Sequence, residues 1–233
     1  LHQLTQHTVT DRQQLESEIH LSPRLAHDDE EYAVGVRCVA APIVTTDLTG
    51  AVAVSAGVTH ACSRTQAGGV RCWGDNADGA AAPGQGGAPV ASPTDVANVV
   101  GVSQLVSGKG FSCALTVSGV VRCWGRGDQG QLGRGVKLAQ GLPAQVPGLA
   151  NVQTLAAGRA HVCALRSDHS LWCWGALSGL KLGLSTTLSP VKVAFGPSSA
   201  SALAASPLGM CVGRPGAWTC VGPNEAGQLG VAA

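Results

Sequence analysis

The sequence predicts an all-β fold, a partial β-propeller of about four blades with a short irregular N-terminal extension. Three observations carry that prediction. Glycine is abundant, 32 of 233 residues, about double its usual share. Charged residues make up 12% and aromatics 3%, against 45% hydrophobic residues. That balance is too apolar for a disordered chain and too poor in charge pairs for a helical one. A unit of about 50 residues recurs four times, which is the period of a propeller blade.

The N-terminal piece differs in kind from the rest. Residues 1–47 hold eight acids and three bases, whereas residues 48–233 hold six acids and twelve bases. Leu1–His20 is too polar for the apolar core of a signal peptide, and no initiator Met is present. The expectation is a chain processed, truncated or excised from something longer. Thr10–Ile19 can form one or two helical turns, Asp28–Glu31 is an acidic run, and Tyr32–Val39 reads as a strand. Pro42–Gly50 then leads into the repeats. The formal net charge of +1 favours neither nucleic acid nor an acidic membrane surface.

Each repeat opens on a small-residue turn and a first cysteine. Ser55-Ala-Gly-Val-Thr-His-Ala-Cys62 returns as Ser107-Gly-Lys-Gly-Phe-Ser-Cys113, as Ala157-Gly-Arg-Ala-His-Val-Cys163 and, more weakly, as Ala205-Ser-Pro-Leu-Gly-Met-Cys211. A second strand follows: Val70-Arg-Cys-Trp-Gly74, Val121-Arg-Cys-Trp-Gly125, Leu171-Trp-Cys-Trp-Gly175 and Trp218-Thr-Cys-Val-Gly222. Phe111–Val117, Ser118-Gly119 and Val120–Trp124 together have the pattern of a β-hairpin with a short loop. A glycine turn closes each unit, complete in Gly130-Gln-Leu-Gly133 and Gly227-Gln-Leu-Gly230, eroded in Gly79-Ala-Ala-Ala-Pro-Gly84 and Leu180-Lys-Leu-Gly183. The uncharged run Val193–Gly213 is long enough to span a membrane, but prolines, glycines and serines interrupt it. It falls in register with the fourth repeat and is expected to be strand.

The pattern small-small-Gly-x-x-His, a glycine-bearing turn, then V-x-C-W-G-x-N-x-x-G-Q-L-G resembles the regulator-of-chromosome-condensation repeat, in its cysteine-bearing bacterial version. The resemblance covers about residues 50–233. It implies a propeller of four-stranded blades, usually seven, so four repeats would form an arc or part of a joint ring. The expected organisation is an N-terminal extension or upstream tail over 1–47 and four repeats over 48–233, at about 50–99, 100–150, 151–198 and 199–233. Residues 32–39 also resemble the closing strand of a formylglycine-generating-enzyme-like domain.

Eight of the nine cysteines pair within repeats: Cys62 with Cys72, Cys113 with Cys123, Cys163 with Cys173, and Cys211 with Cys220. Zinc-site spacings are absent, so metal binding is not expected. Across an antiparallel hairpin such residues can face each other within disulfide reach. Bridges would place the chain in an oxidising compartment: extracellular, periplasmic or at the cell surface. Buried reduced thiols are the alternative reading. Cys38 has no partner in this scheme.

No nucleophile elbow, P-loop, metalloprotease motif or carboxylate pair occurs, so neither catalytic residues nor a cofactor are expected. His60 and His161 share one repeat position without an accompanying carboxylate and read as structural. Trp73, Trp124 and Trp174 are expected to pack between blades, their indole N–H groups seeking acceptors. Arg126-Gly-Asp128 matches a cell-adhesion tripeptide but lies where the repeat needs a turn. Arg122, Arg126, Arg134 and Lys137 form a basic group that could meet a protein partner through blade-edge loops. The expected function is non-catalytic protein binding, with self-association or further blades completing the propeller. The rival readings are a small-GTPase regulator and a fragment of an enzyme whose catalytic part lies upstream.

Overall fold

The computed structural model describes residues 47–230. The expected N-terminal turns, Cys38 and the 32–39 strand lie outside the described residues. Four antiparallel sheets follow one another along the chain. The first contains β1 (Ala51–Ala56), β2 (His60–Thr65), β3 (Val70–Gly74) and β4 (Val90–Asp95). The second contains β5 (Val102–Ser107), β6 (Phe111–Thr116), β7 (Val121–Gly127) and β8 (Leu138–Gln145). The third contains β9 (Val152–Ala157), β10 (His161–Arg166), β11 (Leu171–Ala176) and β12 (Thr186–Val193). The fourth has three strands among the described residues: β13 (Ala202–Ala205), β14 (Met210–Arg214) and β15 (Ala217–Val221). The single helical element described is the 3₁₀ turn Ser178–Leu180. Each sheet is a meander in sequence order, which is the topology of a propeller blade, and the arc is open. The Val193–Gly213 run ends β12 and supplies β13 and most of β14.

The hairpin at the centre of each blade is set by its cysteines. Cys62 faces Cys72, Cys113 faces Cys123, Cys163 faces Cys173 and Cys211 faces Cys220 in register. All four pairs are disulfide-bonded. Just past the second cysteine the pairing of third and fourth strands slips, between Cys72 and Gly74, Cys123 and Gly125, and Cys173 and Gly175. These are bulges, and they explain the fixed glycine of the Trp-Gly motif. Gly125 has φ +93, and a Cβ there would lie 2.4 Å from the Gly110 carbonyl oxygen. That same carbonyl accepts the Arg126 N–H at 2.8 Å.

β1, β5, β9 and β13 are the inner strands, each packed against the next. The core lies between blades rather than inside any one sheet. Cys62, Cys72, Ala81 and Val99 pack with Ala114 and Trp124. Phe111, Leu115, Leu132 and Leu149 pack with Leu155, Val162 and Trp174. Leu165, Leu171, Leu177 and Leu180 pack with Met210 and Val212. Backbone bonds fasten the blades near the axis: the Lys109 N–H donates to the Arg159 carbonyl, and the Arg159 N–H to the Pro207 carbonyl, both at 2.9 Å.

Candidate interaction site

The turn between first and second strands carries the small-Gly-x-x-His motif. Its shape is dictated by a ring lying on a glycine. A Cβ on Gly158 would sit 2.1 Å from the His161 ring, and one on Gly108 would sit 2.1 Å from Phe111. With the glycine bare, the ring folds back over its own turn and is buried, at 4% exposure for His60, 0% for Phe111 and 3% for His161. Both imidazoles are therefore structural in position, and burial holds each near a pKa of about 4. Asp75 opposes that shift at His60.

Their partners differ. His60 Nε2 lies 2.8 Å from Ser112 Oγ in the next blade, and Ser112 Oγ lies 3.0 Å from Ser107 Oγ. His161 Nε2 is buried without a partner. The residue preceding the first cysteine is Ser112 in blade two but Met210 in blade four, which offers a thioether and no matching hydroxyl. Repetition in the sequence marked the histidines but not Ser112, since no other blade has a serine there.

At the axis, the same turns from all four blades surround a cavity of about 280 Å³, lined by Gly57, Val58, Gly108, Gly158, Arg159 and Pro207 among others. Arg159 lines it, and Lys109 follows the lining Gly108; both are half-buried. Arg126, Lys109, Asp75 and Asp128 all act electrostatically on Asp78, whose carboxyl is raised above its usual range, first by burial. No group of three or more His, Cys, Asp or Glu that could hold a metal occurs among the described residues.

The four basic residues of blade two do not form one patch. Arg126 makes a double hydrogen bond to Asp128, Nε to Oδ1 at 3.0 Å and Nη2 to Oδ2 at 2.8 Å. This pairing holds the Asp128 carboxyl below its usual range and closes the Arg-Gly-Asp tripeptide on itself. Arg134 turns inward and donates from Nη2 to the Cys123 carbonyl at 2.5 Å and to the Leu142 carbonyl. Lys137 is exposed on the same β7–β8 connection. Arg122 lies at the other end of β7, opposite Ala114. Arg126, Arg134 and Lys137 thus share the blade end that carries the axial turns, and Arg122 does not.

Two further residues organise this architecture, and only one of them was marked by the repeat. Gln104 donates from Nε2 to the Leu155 carbonyl and accepts the Leu155 N–H at Oε1, both at 2.9 Å. One side chain thereby ties β5 to β9. Asn76 accepts the Ala81 and Ala82 N–H groups and donates to the carbonyls of Ala82 and Gly86, fixing the closing turn of blade one. The asparagine of the repeat motif was the legible signal for it. The interblade tryptophans find backbone acceptors: Trp124 Nε1–H donates to the Ala80 carbonyl at 3.0 Å and Trp174 Nε1–H to the Gln131 carbonyl at 2.9 Å.

Comparison with known proteins agrees with this architecture. A family profile described as Regulator of chromosome condensation (RCC1) repeat matches residues 118–165, and another of the same description matches residues 102–131. A profile described as Bacterial transcriptional regulator IclR C-terminal matches residues 1–71. Its described residues, from 47 onward, make up β1, β2 and the start of β3 of the first blade, and the match is incidental. No curated protein matches the sequence. Among solved structures, human WBSCR16 is similar over 78% of this chain and 50% of its own, with 22% identity and a TM-score of 0.69. Prp20p from Saccharomyces cerevisiae, described with its binding properties to Gsp1p and histones, is similar over 78% of this chain and 45% of its own, with 24% identity and a TM-score of 0.66. The structure of Kap60 bound to yeast RCC1 (Prp20) is similar over 70% of this chain and 39% of the matched one, with 24% identity and a TM-score of 0.57. The chain therefore spans half or less of the length of these solved chains, and the likeness is one of fold.

Proposed function

Starting from a chain that carries regulator of chromosome condensation repeats, we propose that it is a non-catalytic protein-interaction module that binds through the axial face of its propeller arc. The observation that carries this reading is the cavity of about 280 Å³ built jointly by the turns of all four blades. Its walls are backbone and small side chains, with Lys109 and Arg159 at the edge, which suits an acidic or carbonyl-rich protein segment better than a reacting substrate. Loops on a rigid sheet scaffold are the usual carriers of recognition. Within blade two, Arg126, Arg134 and Lys137 would flank that face, and Arg122 would serve only a partner reaching the opposite end.

Four disulfides fit an oxidising, non-cytoplasmic compartment. We assign the chain to the cell surface, periplasm or exterior on that ground. No helix among the described residues is long and apolar enough to cross a membrane. The test of binding is a paired enrichment: wild-type chain and a Lys109→Glu/Arg159→Glu variant, matched by circular dichroism, are exposed to the same extract. A protein retained by the wild type and lost from the variant supports the axial site. Identical retention by both overturns it.

A further inference from the structure

Between blades, the same joint recurs. The tryptophan after the second cysteine enters the preceding blade, over the hairpin disulfide, and donates its indole N–H to the carbonyl at the second residue of the glycine turn. Trp124 uses the Ala80 carbonyl and Trp174 the Gln131 carbonyl, and both side chains are fully buried. The turn glycine makes room: a Cβ on Gly133 would lie 3.0 Å from the Trp174 ring.

Among the described residues, neither half of this joint is filled by a neighbouring blade at the two ends of the arc. On blade four the equivalent turn is Gly227-Gln-Leu-Gly230, a full copy of the Gly130-Gln-Leu-Gly133 turn that receives Trp174. Gly230 has φ +77, close to the +67 of Gly133, yet no described residue lies within 4 Å of where its Cβ would be. In front of it is an apolar groove of about 480 Å³, lined by Leu208, Met210, Val221, Pro223, Gln228 and Leu229 among others. On blade one, Trp73 occupies the position of Trp124 and Trp174 but is only half-buried. On β1 of the same blade, Val54 is 59% exposed, whereas its counterpart Leu155 in blade three is 1% exposed.

We propose that the groove on blade four is a socket for Trp73 of a second copy of this chain, giving a head-to-tail association that repeats the internal blade joint. Trp73 enters beside Leu229, and its indole N–H donates to the Gln228 carbonyl. The occupant follows from complementarity. The chain itself carries a matching plug and socket, of the kind that meet twice within it through a buried tryptophan. The joint is heterologous, with different surfaces on the two copies, and it either closes a ring or propagates. The groove shares Ser206 and Pro207 with the axial cavity, but the joint uses neither Lys109 nor Arg159 and lies on the end faces of the arc, and so goes beyond the function proposed above.

The test is sedimentation of the full 233-residue chain over a range of concentrations. The wild type is expected to associate, and Trp73→Ala and Leu229→Arg each to weaken association by about thirtyfold or more, as for a central interface tryptophan. Peptide mapping of the four disulfides verifies that each variant is folded, and Trp73→Phe serves as a milder second variant with partial association. The decisive sample is a mixture. A Trp73→Ala copy keeps its socket and a Leu229→Arg copy keeps its plug, so together they must form a one-to-one dimer that neither forms alone. A monomeric wild type, association insensitive to both variants, or a mixture that stays monomeric would each overturn the proposal. The Lys109→Glu/Arg159→Glu variant is expected to associate like the wild type, which separates failure here from failure at the axial face.

Discussion

The buried histidines convert a packing choice into pH sensitivity. In an unfolded chain an imidazole takes up a proton near the usual 6.5, but His60 and His161 in the fold do so only at about 4. Between those values the unfolded state binds more protons, so stability falls as pH falls through that window and levels off below it. A displacement of this size corresponds to a loss of about 3 kcal/mol per histidine. Phe111 holds the same place in blade two with no titrating group and is fully buried. His161→Phe should therefore leave stability at pH 7 equal or higher, since it also removes an unpartnered Nε2, and should flatten the acid limb of a melting-temperature profile between pH 7 and 4. An unchanged acid limb would mean His161 titrates normally. His60→Phe should cost about 1 kcal/mol at neutral pH, because the bond to Ser112 is lost.

At the scale of strands and turns, the cysteine pair and the glycine bulge define the blade, and the sequence exposes both. Their spacing repeats because a cross-strand pair tolerates no slip: one residue of shift turns every side chain to the other face. Removing one bridge by Cys163→Ala with Cys173→Ala should lower stability by about 2–3 kcal/mol in the chain-entropy view of a loop this short, read as a lower urea midpoint. The ties between strands of different blades were not legible. Gln104 aligns with Ala53, Thr154 and Ala202 in the other repeats, so nothing periodic marks it. Its importance comes from Leu155, whose N–H and carbonyl it satisfies from the neighbouring blade. Gln104→Leu strands both groups in a partly buried joint and should cost about 1–3 kcal/mol in the same titration. A cost near zero would mean that Thr154 or solvent takes over the bonds.

For the whole arc, stability should be graded rather than uniform, because a repeat array is held by its nearest-neighbour joints. Trp73, Trp124 and Trp174 look identical in sequence, yet two are fully buried and one half-buried, because burial depends on a preceding blade that only the assembled fold reveals. The joints also differ in filling. That between blades two and three contains Phe111, Leu132, Leu155 and Trp174, whereas the turn receiving Trp124 offers Ala80, Ala81 and Ala82. Blade four has Val221 where the others have tryptophan, three described strands, and Trp218 on its last strand 53% exposed. Amide hydrogen exchange, measured at a concentration low enough to keep end faces apart, should find β6, β7, β10 and β11 slowest and β13–β15 fastest, with β1–β3 between them. Local opening of the weakest joint gives this order, since each cooperative unit exchanges at its own free energy. If β14 were to exchange as slowly as β10, the four blades would form a single cooperative unit, and the exposed end of blade four would carry no stability deficit for another chain to relieve.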